Sequence, residues 1–282
     1  MLGQAKIKQL HEHIARLGGV AVAFSGGTDS TLLLANSLDV LGPEHVLAIT
    51  ADSPTLPRSE LAEAQALARE LGARHLIVAT DGMHDARFAA NPPDRCYYCK
   101  QELFRHMRQV ADQQGYRYLV YGATADDVGD FRLGMRAAHE AGAVAPLLEA
   151  GLSKPEVRDL SRQLGLRTWD KPSMACLSSR FPYGMPLTTE GLTRVERAEE
   201  FLRHELGFRQ VRVRDQDAVA RVEVETQDLA RLVQEPLRSQ VIARLKALGY
   251  TYVALNLEGF RSGSLNDVLM GTASQQTTRT PA

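Results

Sequence analysis

The chain has 282 residues, enough for one large domain or for a medium and a small one, each with its own core. Its 33 Lys and Arg balance 34 Asp and Glu to a net charge of −1, which argues against the broad cationic field of a polynucleotide binder. No apolar run approaches membrane-spanning length and the N-terminal stretch is polar, so a soluble, cytoplasmic protein with neither nucleic-acid nor membrane partners is expected.

Ile7, Leu10, Ile14 and Leu17 recur at helical spacing and predict an amphipathic helix ending at Gly18-Gly19, with His11 and His13 read as surface residues. The apolar run Val20 to Phe24 predicts a strand. Ser25-Gly26-Gly27-Thr28-Asp29-Ser30 follows it directly and opens a helix marked by Leu32 to Leu34 and Leu38. Glycines there let successive backbone N–H groups close around an oxyanion, and the helix start adds its positive dipole end. The loop has neither the lysine of a Walker sequence nor the spacing of a dinucleotide fingerprint. Ser25, Gly26, Gly27, Asp29 and Ser30 are therefore candidates for a phosphate site of another kind.

Val46 to Ala51 predicts a second, buried strand ending at Asp52; Arg58 to Leu71 predicts a helix and Leu76 to Ala79 a third strand. This β-α-β-α-β rhythm demands a doubly wound parallel α/β sheet, with ligands at the carboxyl ends of its strands. Pro92-Pro93 marks a loop that feeds Cys96-Tyr97-Tyr98-Cys99, after which helix resumes through Leu103, Phe104, Met107 and Val110. Tyr118 to Tyr121 predicts a fourth strand, ending in Gly122-Ala123-Thr124-Ala125-Asp126-Asp127. Acidic residues at strand ends suit magnesium or a ribose as well as an ordinary turn, so Asp52, Gly122 and Asp126 join the candidate nucleotide site.

Ser153-Lys154-Pro155-Glu156 has the form of a capping box and starts a helix carrying Val157, Leu160 and Leu164. Lys171 to Arg180 is polar and irregular and reads as a site loop. From Pro186 the order becomes α-β-β-α-β: a helix with Val195, Phe201 and Leu202, strands at Gln210 to Arg214 and Ala218 to Glu225, helices near Leu229 to Val233 and Val241 to Leu248, and a strand at Tyr252 to Leu257. The expected organisation is a nucleotide-binding domain over 1–185, a small α+β domain over 186–263 and a disordered tail over 264–282.

Three cysteines are too few for the four protein ligands of a structural zinc. Cys96, Cys99 and Cys176 could instead bind a four-iron cluster with one iron open, hold a catalytic zinc, provide a redox pair at Cys96 and Cys99, or be ordinary buried thiols. Cys176 has Lys171 and Arg180 near it in sequence, and positive charge draws a thiol pKa down from about 8.5. Its apolar neighbours Met174, Ala175 and Leu177 support the plainer reading of a small buried hydrophobe. Arg212 and Arg214, two apart on a strand, share one face, which suits a phosphate clamp or a solvated surface equally.

The segment Ser25 to Ser30 resembles the S-G-G-x-D-S pyrophosphatase (PP) loop of enzymes that split ATP between its α- and β-phosphates. With Ala175-Cys176-Leu177-Ser178-Ser179-Arg180 and Arg212-Val213-Arg214, the chain resembles the LarE family of ATP-dependent sulfur transferases, which build the nickel-pincer nucleotide of lactate racemase. The resemblance implies ATP and Mg²⁺ as cofactors and a small nucleotide-like carboxylate as substrate. The implied reaction is adenylation of a carboxylate of pyridinium-3,5-biscarboxylic acid mononucleotide and its conversion to a thiocarboxylate. It makes Cys176 the nucleophile and sulfur source, Arg212 and Arg214 the grip on the substrate phosphate, and Arg180 and Glu200 further substrate contacts. With Cys96 and Cys99 the chain resembles the three-cysteine branch, which implies that these residues and Cys176 hold a [4Fe-4S] cluster that relays sulfur; in the single-cysteine branch the cysteine is consumed to dehydroalanine. A homo-oligomer is expected. The competing activities are a PP-loop tRNA thiolase and an ammonia-dependent amide-forming synthetase.

Overall fold

A computed structural model of the chain describes residues 2–127, 133–172 and 174–269. The chain divides into two compact units, one running to Cys176 and the other beginning at Leu177. Among the described residues no helix is long and apolar enough to cross a membrane.

The first unit runs α1 (Leu2–Leu17), β1 (Val20–Ala23), α2 (Thr28–Leu41), β2 (Val46–Asp52), α3 (Arg58–Glu70), β3 (Arg74–Ala79), the short α4 (Ala86–Ala89), α5 (Arg95–Gln113), β4 (Tyr118–Tyr121), α6 (Leu133–Glu140), the short α7 (Pro146–Glu149) and α8 (Lys154–Gln163). Its four strands lie in the order β3-β2-β1-β4, all parallel. Side-chain alternation builds a core on each face. Val20, Val22, Val46, Ala48 and Val120 pack with Leu10, Ile14, Leu32, Leu33 and Val157, from α1, α2 and α8. Ala21, Leu47, Ile49 and Leu119 point the other way, against Phe104, Met107 and Ala111 of α5 and Ala138 of α6. The doubly wound parallel sheet expected from the β-α rhythm is therefore present. β3 is an edge strand and leaves Leu76 and Ile77 exposed.

One local expectation changes. Cys96 to Cys99 lie within the first turns of α5 instead of in the loop before it. Pro92 and Pro93 end just outside the helix, and the Tyr97 amide already donates to the Asp94 carbonyl at 2.8 Å, so the C-Y-Y-C segment is drawn into the helical ladder.

The second unit contains α9 (Thr189–Glu200), which runs on into a wider turn over Phe201–Glu205, then β5 (Val211–Gln216), β6 (Val219–Val224), the short α10 (Leu229–Leu232), α11 (Leu237–Ala247) and β7 (Tyr252–Leu255). β5 pairs antiparallel with β6, and β6 pairs parallel with β7. This mixed sheet is the small α+β fold expected from the element order; its core holds Leu202, Phe208, Val211, Val213, Val222, Val241 and Leu245. The segment expected to be disordered begins with a turn at Ser264–Asn266, where Tyr183 Oη donates to Asn266 Oδ1 at 2.8 Å. The rest of that expectation, from residue 270, lies outside the described residues.

The capping box at α8 forms as read: the Ser153 amide and hydroxyl both donate to Glu156 Oε2 at 2.8 Å. Lys6 Nζ donates to both Glu156 oxygens, at 2.7 and 2.8 Å, tying α1 to α8. The Lys6 hydrogen bond, then those from Ser153, hold the Glu156 pKa at about 2, against an ordinary 4.5. Because the folded value is depressed, the contribution of ionised Glu156 is fully present above about 4.5 and is lost as pH falls towards about 2. Glu156→Gln is expected to flatten the fall of stability with pH across that window, measured by urea unfolding at stepped acidic pH.

Candidate active site

β1, β2 and β3 step to one side of the sheet and β4 lies on the other, so the topological switch point falls between β1 and β4. Ser25 to Ser30 leaves the carboxyl end of β1 at that point. Gly27 stands at the N-cap of α2 in extended backbone without a side-chain cap, so the helix start presents backbone donors. Ser30 Oγ donates to the Gly27 carbonyl at 3.1 Å and receives the Ser25 amide at 3.3 Å, with Ser25 Oγ 3.1 Å away. The Gly27 amide donates to Ser25 Oγ at 3.3 Å.

Two glycines make this geometry possible. Gly26 has a φ of +69°, and a Cβ there would stand 3.1 Å from Ala64 of α3. A Cβ on Gly122, just past β4, would come within 2.9 Å of the Ser30 amide nitrogen and 3.0 Å of the Asp29 carbonyl carbon. The two sides of the switch point thus meet backbone to backbone.

Asp29 lies in the first turn of α2, and burial raises its pKa against the opposing pull of Lys154. Lys154 Nζ stands 3.4 Å from Asp29 Oδ2 and 3.7 Å from Asp127 Oδ1. Asp127 is buried and accepts the Thr124 amide and hydroxyl at 2.9 and 3.1 Å. Sequence reading passed over Lys154 and Asp127. Lys154 was legible only as the first helical residue of a capping box, and its contact with Asp29 spans 125 positions. Asp126, a candidate for the nucleotide, accepts the Lys154 amide at 2.5 Å, and Asp52 pairs with Arg58 at 2.6 Å.

The first unit also gathers the cysteines. Cys96 and Cys176 are exposed and Cys99 is half-buried, which sets aside the reading of Cys176 as a small buried hydrophobe. Burial first, then the charge of Cys176, raises the pKa of Cys96 and pushes that of Cys99 up to about 12. Although Cys96 is exposed, Cys176 therefore lies within electrostatic reach of Cys99 and Cys96, 77 and 80 positions away. Among the described residues no group of three His, Cys, Asp or Glu is arranged to hold a metal ion. The cations expected to act on Cys176 have other partners: Lys171 Nζ binds Glu60 and Glu63 at 2.8 and 2.7 Å, and buried Arg180 binds Glu199.

In the second unit, Arg212 and Arg214 of β5 are buried, not solvated. Arg214 makes two bonds to Glu223 Oε2, at 3.0 and 2.8 Å, and donates to the Ser179 carbonyl and Ser264 Oγ. Arg212 lies over the Phe260 ring, 5.1 Å from its centroid, and donates to the Val211 carbonyl. The organising carboxylate is Glu199, fully buried, and not the half-buried Glu200 beside it. Glu199 accepts two bonds from Arg180 at 2.8 Å, one from Arg203, and the Val213 amide at 3.0 Å. Burial alone would raise the Glu199 pKa; Arg180, Arg203 and Arg212 overcome it and hold the group at about 2. Burial first, then the charge of Arg180, lowers the Arg212 pKa to about 9 despite Glu199. Such an environment favours an added anion, which would relieve guanidinium repulsion.

A parallel sheet that presents an uncapped S-G-G-T-D-S helix start at its switch point defines the PP-loop class of nucleotide-binding folds. The NAD synthase family profile matches residues 4–179. The chain is 40% identical over 250 residues to the pyridinium-3,5-bisthiocarboxylic acid mononucleotide synthase of Lactiplantibacillus plantarum, covering 89% of this chain and 90% of that protein. It belongs to the NAD synthase family and, within it, to the group of that synthase, in agreement with the LarE resemblance. An uncharacterized Synechocystis protein, slr1717, is 44% identical over 266 residues, 94% of this chain and 98% of its own length. A second uncharacterized relative, MJ0830 of Methanocaldococcus jannaschii, is 28% identical over 243 residues, 86% of this chain and 91% of its own.

Gly122→Ala tests the switch-point geometry. Its Cβ would press on the Asp29 and Ser30 backbone, so a loss of about 1–3 kcal/mol is expected, read as a lowered urea midpoint at unchanged slope.

Proposed function

We propose that the chain is an ATP-dependent sulfur transferase that adenylates a carboxylate of pyridinium-3,5-biscarboxylic acid mononucleotide and converts it to a thiocarboxylate. The observation that carries this reading is that one unit holds both the PP-loop at its switch point and an exposed Cys176. Its kinship with a synthase named for the bisthiocarboxylic product supports the choice of substrate.

The chemistry has two halves. A carboxylate oxygen of the substrate attacks the α-phosphorus of ATP and pyrophosphate leaves, giving an acyl-AMP. A sulfur nucleophile then attacks the acyl carbon and AMP leaves with the C–O bonding pair. Ser25, Ser30 and the loop amides would hold phosphate oxygens, and Asp29, with Lys154 beside it, would hold the accompanying Mg²⁺, which would screen the phosphate charge. Arg214, held by Glu223, and Arg212, within the field of Glu199, hold the substrate phosphate, whose negative charge matches their buried surroundings.

Sulfur enters at Cys176. In ligand type and number, though not in the arrangement of the described residues, Cys96, Cys99 and Cys176 match a [4Fe-4S] cluster, which when bound would supply an open iron for an exogenous sulfide. Anaerobically reconstituted protein is then expected to hold about four iron and four acid-labile sulfide per chain, lost in Cys96→Ala. Protein without iron that forms thiocarboxylate once, leaving dehydroalanine at 176, would instead identify Cys176 as the consumed donor.

Wild type with ATP, Mg²⁺ and the biscarboxylic mononucleotide is expected to release pyrophosphate and AMP and form thiocarboxylate, followed by mass spectrometry. Cys176→Ala should form no thiocarboxylate; full activity in that variant would favour an amide-forming synthetase. Arg212→Ala is expected to raise KM for the mononucleotide roughly tenfold or more, the effect of one charge-assisted hydrogen bond, with KM for ATP unchanged.

A further inference from the structure

Lys171 is almost buried, with its side chain 13% exposed, and all three of its N–H donors are engaged. It donates to Glu60 Oε2 at 2.8 Å, to Glu63 Oε2 at 2.7 Å and to the carbonyl of Gly26 in the phosphate loop at 3.2 Å. With two carboxylates beside it and no donor left over, Lys171 is poorly placed to serve as a phosphate ligand. Its effect falls on the loop itself.

The Gly26–Gly27 peptide is the one whose orientation matters most. A planar trans peptide points its C=O and N–H to opposite sides, so holding the Gly26 carbonyl outward turns the Gly27 N–H inward, where it meets Ser25 Oγ at 3.3 Å. Both flanking residues are glycines, Gly26 at positive φ, so side-chain sterics offer little resistance to rotation of this plane. Lys171 supplies the restraint, backed by Glu60 and Glu63 on the face of α3 whose Ala64 abuts Gly26.

The same anchor reaches the stem of the segment that carries Cys176. Thr28 Oγ1, in the loop, donates to the Thr168 carbonyl at 2.7 Å. Arg158 of α8 donates to the carbonyls of Trp169 and Lys171 at 3.2 and 3.1 Å. Residues 168–171 are thus pinned to the phosphate loop at Thr28 and Gly26 and to α8 through Arg158.

We propose that Lys171 is a positioning residue that sets the Gly26–Gly27 peptide plane for phosphate and couples nucleotide occupancy of the loop to the reactivity of Cys176. The inference rests on the ATP-binding function proposed above.

The test compares full-length wild type, Lys171→Met, and Lys171→Met combined with Glu60→Gln, which keeps the charge balanced and leaves Glu63 paired with Arg167 at 3.0 Å. Mg-ATP affinity is measured by calorimetry, alkylation of Cys176 by iodoacetamide in iron-free protein is followed by peptide mass spectrometry with and without Mg-ATP, and folding is checked by thermal melting. In wild type, Mg-ATP is expected to slow Cys176 alkylation at least about threefold. In the folded variants affinity should fall about tenfold and the nucleotide effect on Cys176 should vanish. If Lys171→Met alone does not fold, the charge-balanced variant gives the answer. Affinity within about twofold of wild type, with the nucleotide effect retained, would overturn the assignment alone. A wild type that does not bind Mg-ATP would overturn the proposed function and this inference with it.

Discussion

The contact on which the first unit depends is the meeting of two backbones at the switch point of its sheet. Gly122 lies so close to the Asp29–Ser30 backbone that even a methyl group would collide with it. This approach brings the start of α2 beside the carboxyl end of β4. It also lets Lys154, at the start of α8, reach Asp29 and Asp127 from the β4 side.

Around this contact the unit uses charge to hold backbone in place. Lys6 with Glu156, Lys154 with Asp29 and Asp127, and Lys171 with Glu60 and Glu63 each join segments far apart in sequence. Partly buried pairs of this kind add geometric definition more readily than net stability, because each ion first loses its hydration. The second unit applies the same principle more heavily, with Glu199 and Glu223 deeply buried among arginines. Removing either carboxylate would leave guanidinium groups repelling one another in a poorly solvated place.

Much of the fold was legible because periodicity is a local property. The alternation that sends Val20 and Val22 to one face and Ala21 to the other is written in adjacent residues, as is the capping box at Ser153 and Glu156. Local signals reach their limit where tertiary context overrides them. Cys96 to Cys99 became helical although a proline pair stood just before them. Glu199 and Glu200 are indistinguishable in sequence, and only helix phase turns the first into the arginine cluster and leaves the second at the side. Lys171 and Arg180 looked like cations for Cys176, yet each is bound to carboxylates supplied by another helix.

The sequence by itself determined the parallel α/β class, the phosphate loop and its place after the first strand, the small α+β unit and the family, because each rests on residue types at short, fixed spacing. Tertiary structure decided which charges meet. It brought Lys154 to Asp29 across 125 positions and Lys171 to Gly26 across 145, and it buried Arg212 and Arg214 on a strand face that could equally have been wet. Electrostatic contact depends on distance in space, and spacing along a chain does not encode it beyond a helical turn or a strand pair.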